Sequence, residues 1–350
     1  VLWALAIGAH LPDPSLKLEC FRATTPEILA AAARLIAEGR VQVEVDAGHA
    51  GLFVDCVVTR AGGTGRAVIE EEHTRLTRLE RDGTVEPLPA VVSEQEQAFD
   101  RGELGRLSLA DMLAVARSLD GAERQALRRG LAMNRAIAEH GLGLLPRDFA
   151  AAPADVPQAR AARLVCGGVD ARMSGEDFVV MSLAGSGNKG ITASVPLAVM
   201  GEARGLPPER IDEALALTCL ITVLTTGKLG SLSAVCGGSN AAGAGLAAGL
   251  VLLAGGGERE ISLSLDNMVG NVSGMVCDGA KIGCGLKTMT AVDAAFRAAS
   301  LAMSGVGIPF TDGIVGADGL ASLDNLARLA NQGMVAVDAE ILAIMKEKLV

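Results

Sequence analysis

The spacing of apolar residues changes rhythm twice along the chain. From 28 to 36 it is helical. Thr25-Pro26-Glu27 opens that stretch with a hydroxyl cap, a proline in the first turn and an acid near the positive end. Gly39 supplies a stop. From residue 41 the period becomes two: 41–45, 52–58, 67–69 and 76–79 alternate apolar and polar positions. Ala61-Gly62-Gly63 and Arg81-Asp82-Gly83 punctuate them as turns. A helix followed by an antiparallel meander is expected here. From Ser108 the helical period returns, opened by Ser108-Leu109-Ala110-Asp111, a capping box with Asp in place of Glu. Segments 121–140, 156–173, 208–226, 239–255, 280–303 and 322–345 all carry it. Residues 178–183 form one strand-like run among them, and 146–157, rich in Ala, Asp and Pro, read as a linker. The pattern predicts an α+β chain: a small subdomain with an antiparallel sheet over 1–92, and a predominantly helical domain over 93–350.

Composition refines this picture. With one Trp, seven Phe and no Tyr among 350 residues, the core must be built from Ala, Val, Leu and Met, and 43 glycines fit close helix packing. The net charge of −10 speaks against a nucleic-acid partner, which needs a clustered positive field. The Ala/Gly-rich run 241–257 is barely long enough to span a bilayer and reads as a buried helix, so no membrane partner is expected. Seven cysteines, odd in number and scattered, suit a reducing cytoplasm better than a disulfide scaffold. Residues 1–7 lack the basic start and cleavage site of a signal peptide. They also lack an initiator Met. A homo-oligomer is left open.

Two motifs could carry chemistry. Gly185-Ser186-Gly187-Asn188-Lys189-Gly190 follows the strand-like run and precedes a helix. Formally it is G-x-G-x-x-G, whose backbone N–H groups can approach an anion at a helix start. A dinucleotide fold would also need further parallel strands, and a Walker loop would need Ser or Thr after Lys189. A plain tight turn, or a site for a carboxylate with Ser186 and Asn188 adding hydrogen bonds, stay open. The second motif is Cys236, Cys277 and Cys284, each flanked by glycine at breaks between apolar helices. Glycine lets backbone approach a bulky inorganic group. Zinc would want a fourth Cys or His, and no His follows His140. Spacing alone leaves buried structural cysteines equally open. His73, between two expected strands, reads as a surface-turn residue. His10, His49 and His140 carry no motif, and Cys56, Cys166 and Cys219 read as core.

At these residues the chain resembles the L-cysteine desulfidase family, relatives of the alpha chain of iron–sulfur L-serine dehydratase. The likeness runs from about Thr25 to Lys348. It is carried by the Gly185–Gly190 loop, by Gly230-Ser231-Leu232-Ser233-Ala234-Val235-Cys236-Gly237, and by Met275-Val276-Cys277-Asp278-Gly279-Ala280-Lys281 with Cys284. The stretch from Glu38-Gly39-Arg40-Val41 through His73-Thr74 is also similar. The resemblance implies a [4Fe–4S] cluster ligated by Cys236, Cys277 and Cys284 with one iron open to substrate. It implies substrate contacts at Gly185, Ser186, Gly187, Asn188 and Lys189. The implied reaction is β-elimination from L-cysteine to pyruvate, ammonia and hydrogen sulfide.

Two departures stand out. The family pattern often reads Gly-Arg-Leu-Ser and Cys-Gly-Cys where this chain has Ser231 and Gly238. Its N-terminal Gly-Cys-Thr-Glu-type motif, source of the proposed proton acceptor, has no counterpart here, which implies a missing N-terminal segment. Cys20, in Leu18-Glu19-Cys20-Phe21-Arg22, lacks that context, so the catalytic base is unassigned, although Cys20 is the only cysteine near the amino end. Alternatives are L-serine as substrate, a pyridoxal-phosphate lyase using Lys189, Lys228, Lys281 or Lys287, and an inactive paralogue that only packs against a partner.

Overall fold

In the computed structural model, which describes residues 1–11, 13–46, 48–49, 51–71, 75–88, 101–150, 156–230 and 233–348, the chain divides into two compact units, Val1–Glu94 and Gln95–Val350. His73 and Ser231 lie outside the described residues.

The first unit begins with helix α1 (Leu2–Gly8), a 3₁₀ segment Pro14–Ala23 and helix α2 (Pro26–Ala37). The α2 start follows the sequence: Thr25 Oγ1 accepts from the Ile28 N–H at 3.4 Å, and Gly39 follows the helix with φ +66°. Strands β1 (Phe53–Arg60), β2 (Gly63–Glu70), β3 (Leu76–Arg81) and β4 (Thr84–Val85) form an antiparallel sheet in sequence order. Cys56 sits opposite Ala67, and Ala67 opposite Leu79. Asp82 and Gly83, both with positive φ, make the tight β3–β4 turn. Arg66 on the middle strand reaches Asp55 on one neighbour and Glu80 on the other, at 2.6 and 3.3 Å. The alternating run 41–45 is not a strand. Val43 and Val45 are exposed and no ladder partner meets them among the described residues; alternation supplies a face, but a strand also needs an edge to pair with.

The second unit is helical: α3 (Arg101–Leu104), α4 (Leu109–Arg117), α5 (Gly121–Leu144), α6 (Arg147–Ala150), α7 (Pro157–Ser174), α8 (Gly187–Ala203), α9 (Pro208–Leu229), α10 (Gly237–Leu253), α11 (Glu258–Val272), α12 (Cys284–Met303), α13 (Gly319–Arg328) and α14 (Val335–Glu347). The Ser108–Asp111 capping box forms as expected. Three readings need correction. Residues 178–183 are not a strand; only Leu183 makes a bridge, to Ser186. The 322–345 segment is interrupted by a π-helical turn, Leu329–Gly333. Helix α11 was not anticipated, because its polar first turn, closed by Glu260 accepting from the Gly257 N–H at 2.9 Å, masks the apolar spacing behind it.

Helix α10 is the axis of this unit, buried from Ser239 to Leu253 and packed by α8, α9, α11 and α12. Its small residues permit this. A Cβ on Gly245 would lie 2.5 Å from the Thr218 carbonyl oxygen of α9, so the two backbones touch. The part 241–253 of the run 241–257 is therefore core, with Ala254 and Gly255 exposed beyond it, and no helix among the described residues is long and apolar enough to cross a membrane.

Candidate active site

Leu183 and Ser186 exchange two backbone hydrogen bonds of 3.1 Å around Ala184 and Gly185, whose φ values are +47° and +78°. Two consecutive left-handed residues make a type I′ turn. For Ala184 that backbone is uncommon and costs energy. Ser186 then returns to extended backbone and caps α8, its Oγ accepting from the Lys189 N–H at 3.5 Å. Gly187, Asn188 and Lys189 thus form the first turn of α8, with N–H groups that have no intrahelical partner. No parallel sheet precedes this turn among the described residues, so the dinucleotide reading fails.

Lys189 is 7 % exposed. Its ammonium donates to the Ala184 carbonyl at 3.1 Å, and its Cε lies 2.8 Å from where a Cβ on Gly237 would stand. Gly237 opens α10 and follows Cys236, the N-cap of that helix. The start of α8 therefore meets the start of α10 through the Lys189 side chain, which lies over Gly237.

Cys236 and Cys277 are joined by a short antiparallel bridge. Cys236 N–H donates to the Met275 carbonyl and Cys277 N–H to the Ala234 carbonyl, each at 2.8 Å, around the pair Val235–Val276. Side chains alternate along such a pair, so both cysteines stand on the face opposite the valines. They are diagonal neighbours, for which Cα atoms are about 7–8 Å apart. Cys284 begins α12. The first turns of α10 and α12 are tied by Ser239 Oγ, which donates to the Lys287 carbonyl at 3.0 Å and lies 3.4 Å from Cys236 Sγ. Lys287 in turn donates to the Val276 carbonyl at 2.8 Å and pairs with Asp278. Named contacts thus link all three cysteines into one cluster of loops and helix starts.

The surroundings are cationic. Lys281 also pairs with Asp278; burial and the neighbouring Lys287 lower its pKa, opposed by Cys284 and Cys277. Arg172, in the last turn of α7, has its pKa lowered by burial and opposed by Cys284. Sequence reasoning missed Arg172, since nothing in its local pattern separates it from a helix-ending cation. Burial pushes Cys166 up to about 11, with Asp170 adding to it, and Cys219 up to about 12; it raises Cys56 as well. Cys20 lies in the 3₁₀ segment of the first unit. A cavity of about 240 Å³, lined by Leu145, Phe149, Cys166, Asp170 and Leu286, adjoins Gly283 and Gly285 beside Cys284.

Among the described residues no three His, Cys, Asp or Glu side chains are grouped as ligands of a single metal ion. An iron–sulfur cluster asks for something else, one thiolate per iron corner, and therefore for sulfurs that stand apart. The donor set suits that requirement: three thiols on glycine-flanked backbone, no imidazole and cations nearby. One buried acceptor, Asn240 Oδ1, has no donor among the described residues, while Asn240 Nδ2 holds the Cys236 carbonyl at 3.2 Å. Of the four candidate Schiff-base lysines, Lys228 pairs with Asp324, Lys281 and Lys287 with Asp278, and Lys189 bonds Ala184.

Comparison with known proteins places this arrangement in context. A family profile described as "Serine dehydratase alpha chain" matches residues 66–343. A UPF0597 protein of Oleidesulfovibrio alaskensis is 38% identical, aligned over 99% of this chain and 82% of its own length. A UPF0597 protein of Geobacter sulfurreducens is 36% identical with the same coverage, and one of Caldanaerobacter subterraneus is 32% identical over 99% of this chain and 83% of its own. No solved structure matches the chain.

Proposed function

The chain belongs to the serine dehydratase alpha-chain family, and from that premise we propose that it is a lyase of amino-acid catabolism. In this proposal it acts in the cytoplasm, holds a [4Fe–4S] cluster on Cys236, Cys277 and Cys284, and eliminates hydrogen sulfide from L-cysteine. The observation that carries the proposal is the linkage of these three thiols, through the Val235–Val276 bridge and the Ser239–Lys287 contact, beside the first turn of α8.

The Cα proton leaves and its electron pair forms the Cα–Cβ double bond, while the Cβ–S bond breaks with its pair going to sulfur. The aminoacrylate product then takes up one water to give pyruvate and ammonia. The chemistry such a cluster supplies when bound is Lewis-acid stabilisation of the departing sulfur. The chain's own residues do the rest. The open N–H groups of Gly187 and Asn188 orient the substrate carboxylate. Lys189, buried where α8 meets α10, places its positive charge beside Gly237, the residue after Cys236. The proton acceptor is unassigned. L-Serine is the second reading, favoured by the description of the matching family.

Anaerobic preparation followed by iron and labile-sulfide assays tests the proposal. About four irons per chain are expected. Cys236→Ala, Cys277→Ala and Cys284→Ala should each abolish loading, whereas Cys56→Ala, Cys166→Ala and Cys219→Ala should not. Stoichiometric zinc without sulfide overturns it. Pyruvate release from L-cysteine against L-serine decides the substrate, and iron loading with neither substrate consumed points to an inactive paralogue.

A further inference from the structure

Buried guanidinium groups are normally matched by carboxylates, because taking the charge out of water is costly without a partner. Elsewhere in the helical unit such groups find a carboxylate or a backbone carbonyl: Arg124 pairs with Asp212 at 3.6 Å, Arg163 donates to the Phe149 carbonyl at 2.6 Å and Arg210 to the Leu252 carbonyl at 3.1 Å. Arg172 does not. It is half-buried, and among the described residues no carboxylate lies within ion-pair distance of it. It sits in the last turn of α7, where a cation could serve the helix end, yet its side chain bonds no carbonyl there. Its Nη1 donates to Asn188 Oδ1 at 3.1 Å instead.

The guanidinium is held against the first turn of α8. A Cβ on Gly187 would lie 2.5 Å from Arg172 Nε and 3.1 Å from its Cδ. Asn188 is fixed from its other side, its Nδ2 lying 3.7 Å from Met173 Sδ. An arginine brought this close to an anion-seeking helix start, positioned by an amide and left without a carboxylate, lacks one thing.

We propose that Arg172 is the specificity-determining cation that binds the α-carboxylate of the amino-acid substrate, with Asn188 setting the guanidinium. The assignment rests on the lyase reading above. A planar guanidinium offers a carboxylate two parallel N–H donors, which lysine cannot reproduce. Arg172→Lys is therefore a severe change here, and Asn188→Asp is an informative one, since it supplies a carboxylate from the protein and occupies the guanidinium.

Two measurements on the full chain test this. The first follows thermal stability with L-serine or L-serinamide as probe, so that only the carboxylate differs. Wild type should be stabilised by L-serine and not by the amide, and both Arg172→Lys and Asn188→Asp should lose that discrimination. The second measures iron, labile sulfide and turnover of anaerobically loaded protein. Loading should be unchanged in both variants, and KM for the amino acid should rise about 10–100-fold, as expected for a lost charge-assisted pair, with kcat changed far less. Iron lost on Arg172→Lys would mean that the side chain balances cluster charge, which overturns the proposal. So would an unchanged KM, or equal stabilisation by L-serine in wild type and variant. If wild type turns over neither amino acid, the lyase reading fails and the serine–serinamide comparison alone decides for or against Arg172.

Discussion

Gly190→Ala is the substitution that most directly probes how the candidate loop is held. Gly190 is buried in the first turns of α8. A Cβ there would overlap the Met181 carbonyl oxygen, with the Met181 carbonyl carbon 3.1 Å and Asn134 Nδ2 3.2 Å away. The obstacle is backbone and cannot rotate aside. Normal contact is about 3.5 Å, so the 178–183 segment must move by more than about 1 Å. That segment is anchored: Met181 N–H donates to buried Asn134 Oδ1 at 2.9 Å, Asn134 Nδ2 donates to Ser194 Oγ at 3.0 Å, and Ser194 Oγ donates to the Gly190 carbonyl at 2.8 Å. Overpacking costs about 1–3 kcal/mol, and a broken buried hydrogen bond adds about 1–2. The gain in helix propensity returns about 1 kcal/mol. A net loss of about 1–4 kcal/mol results, or roughly 2–16 °C in Tm for a unit of this size. Gly143→Ala is the control: Gly143 is exposed in α5 and a Cβ there meets nothing within 4 Å. Thermal unfolding followed by helical circular dichroism reads both. A Gly190→Ala Tm equal to that of Gly143→Ala would refute the argument, because the loop would then be free to yield.

Three further predictions rest on separate features. Thr222 Oγ1 is buried in α9 without a hydrogen-bond partner among the described residues, so Thr222→Val should stabilise the chain by about 1–2 kcal/mol in urea unfolding; a loss of that size would show that the hydroxyl is bonded. Asp266 is 6 % exposed and its carboxyl is raised above 3.8 by burial, with Ser322 Oγ, donating at 2.6 Å, opposing the shift. The unfolded chain therefore loses this proton first. Stability falls as pH rises from 3.8 through the higher native value and is then level, so the urea midpoint of Asp266→Asn should exceed that of wild type at pH 7 and approach it in acid. Lys287→Met removes the clamp on Val276 and Asp278, and should lower iron loading while the circular-dichroism spectrum is kept; full loading would show that the Cys277 segment needs no such anchor.

Much of the fold was legible because the local signals and the tertiary structure agree. Thr25, Ser108 and the Arg81-Asp82-Gly83 turn each act through neighbours within four residues, and each does what its chemistry dictates. The failures occur where the decisive partner is distant. Residues 41–45 alternate correctly and meet no strand among the described residues, while 178–183 looks like a strand and is instead held by Asn134, 47 positions before Met181. The same division runs through the candidate site. Its cysteines and glycine loop carry recognisable residues in recognisable order. Arg172 carries no such mark, because its role is set by Gly187 and Asn188, and only the packing of α7 on α8 brings them together.

The helix starts at this site also share a lack. Helices α2, α4, α5, α9 and α11 each place an acid in the first turn, the usual complement to the positive end of a helix. Helices α8, α10 and α12 place none, as α1, α7 and α13 also do not, and α10 and α12 have no side-chain cap either. In a chain with 41 acidic residues against 31 basic ones, that omission is not forced by supply. An acid in these turns would occupy the N–H groups and cancel Lys189, Lys281 and Arg172. Asp278, the acid on the Cys277 segment, is instead held by Lys281 and Lys287. In the proposed lyase, the negative charge at these positions is that of the bound amino-acid carboxylate, for which helix starts free of acids leave room.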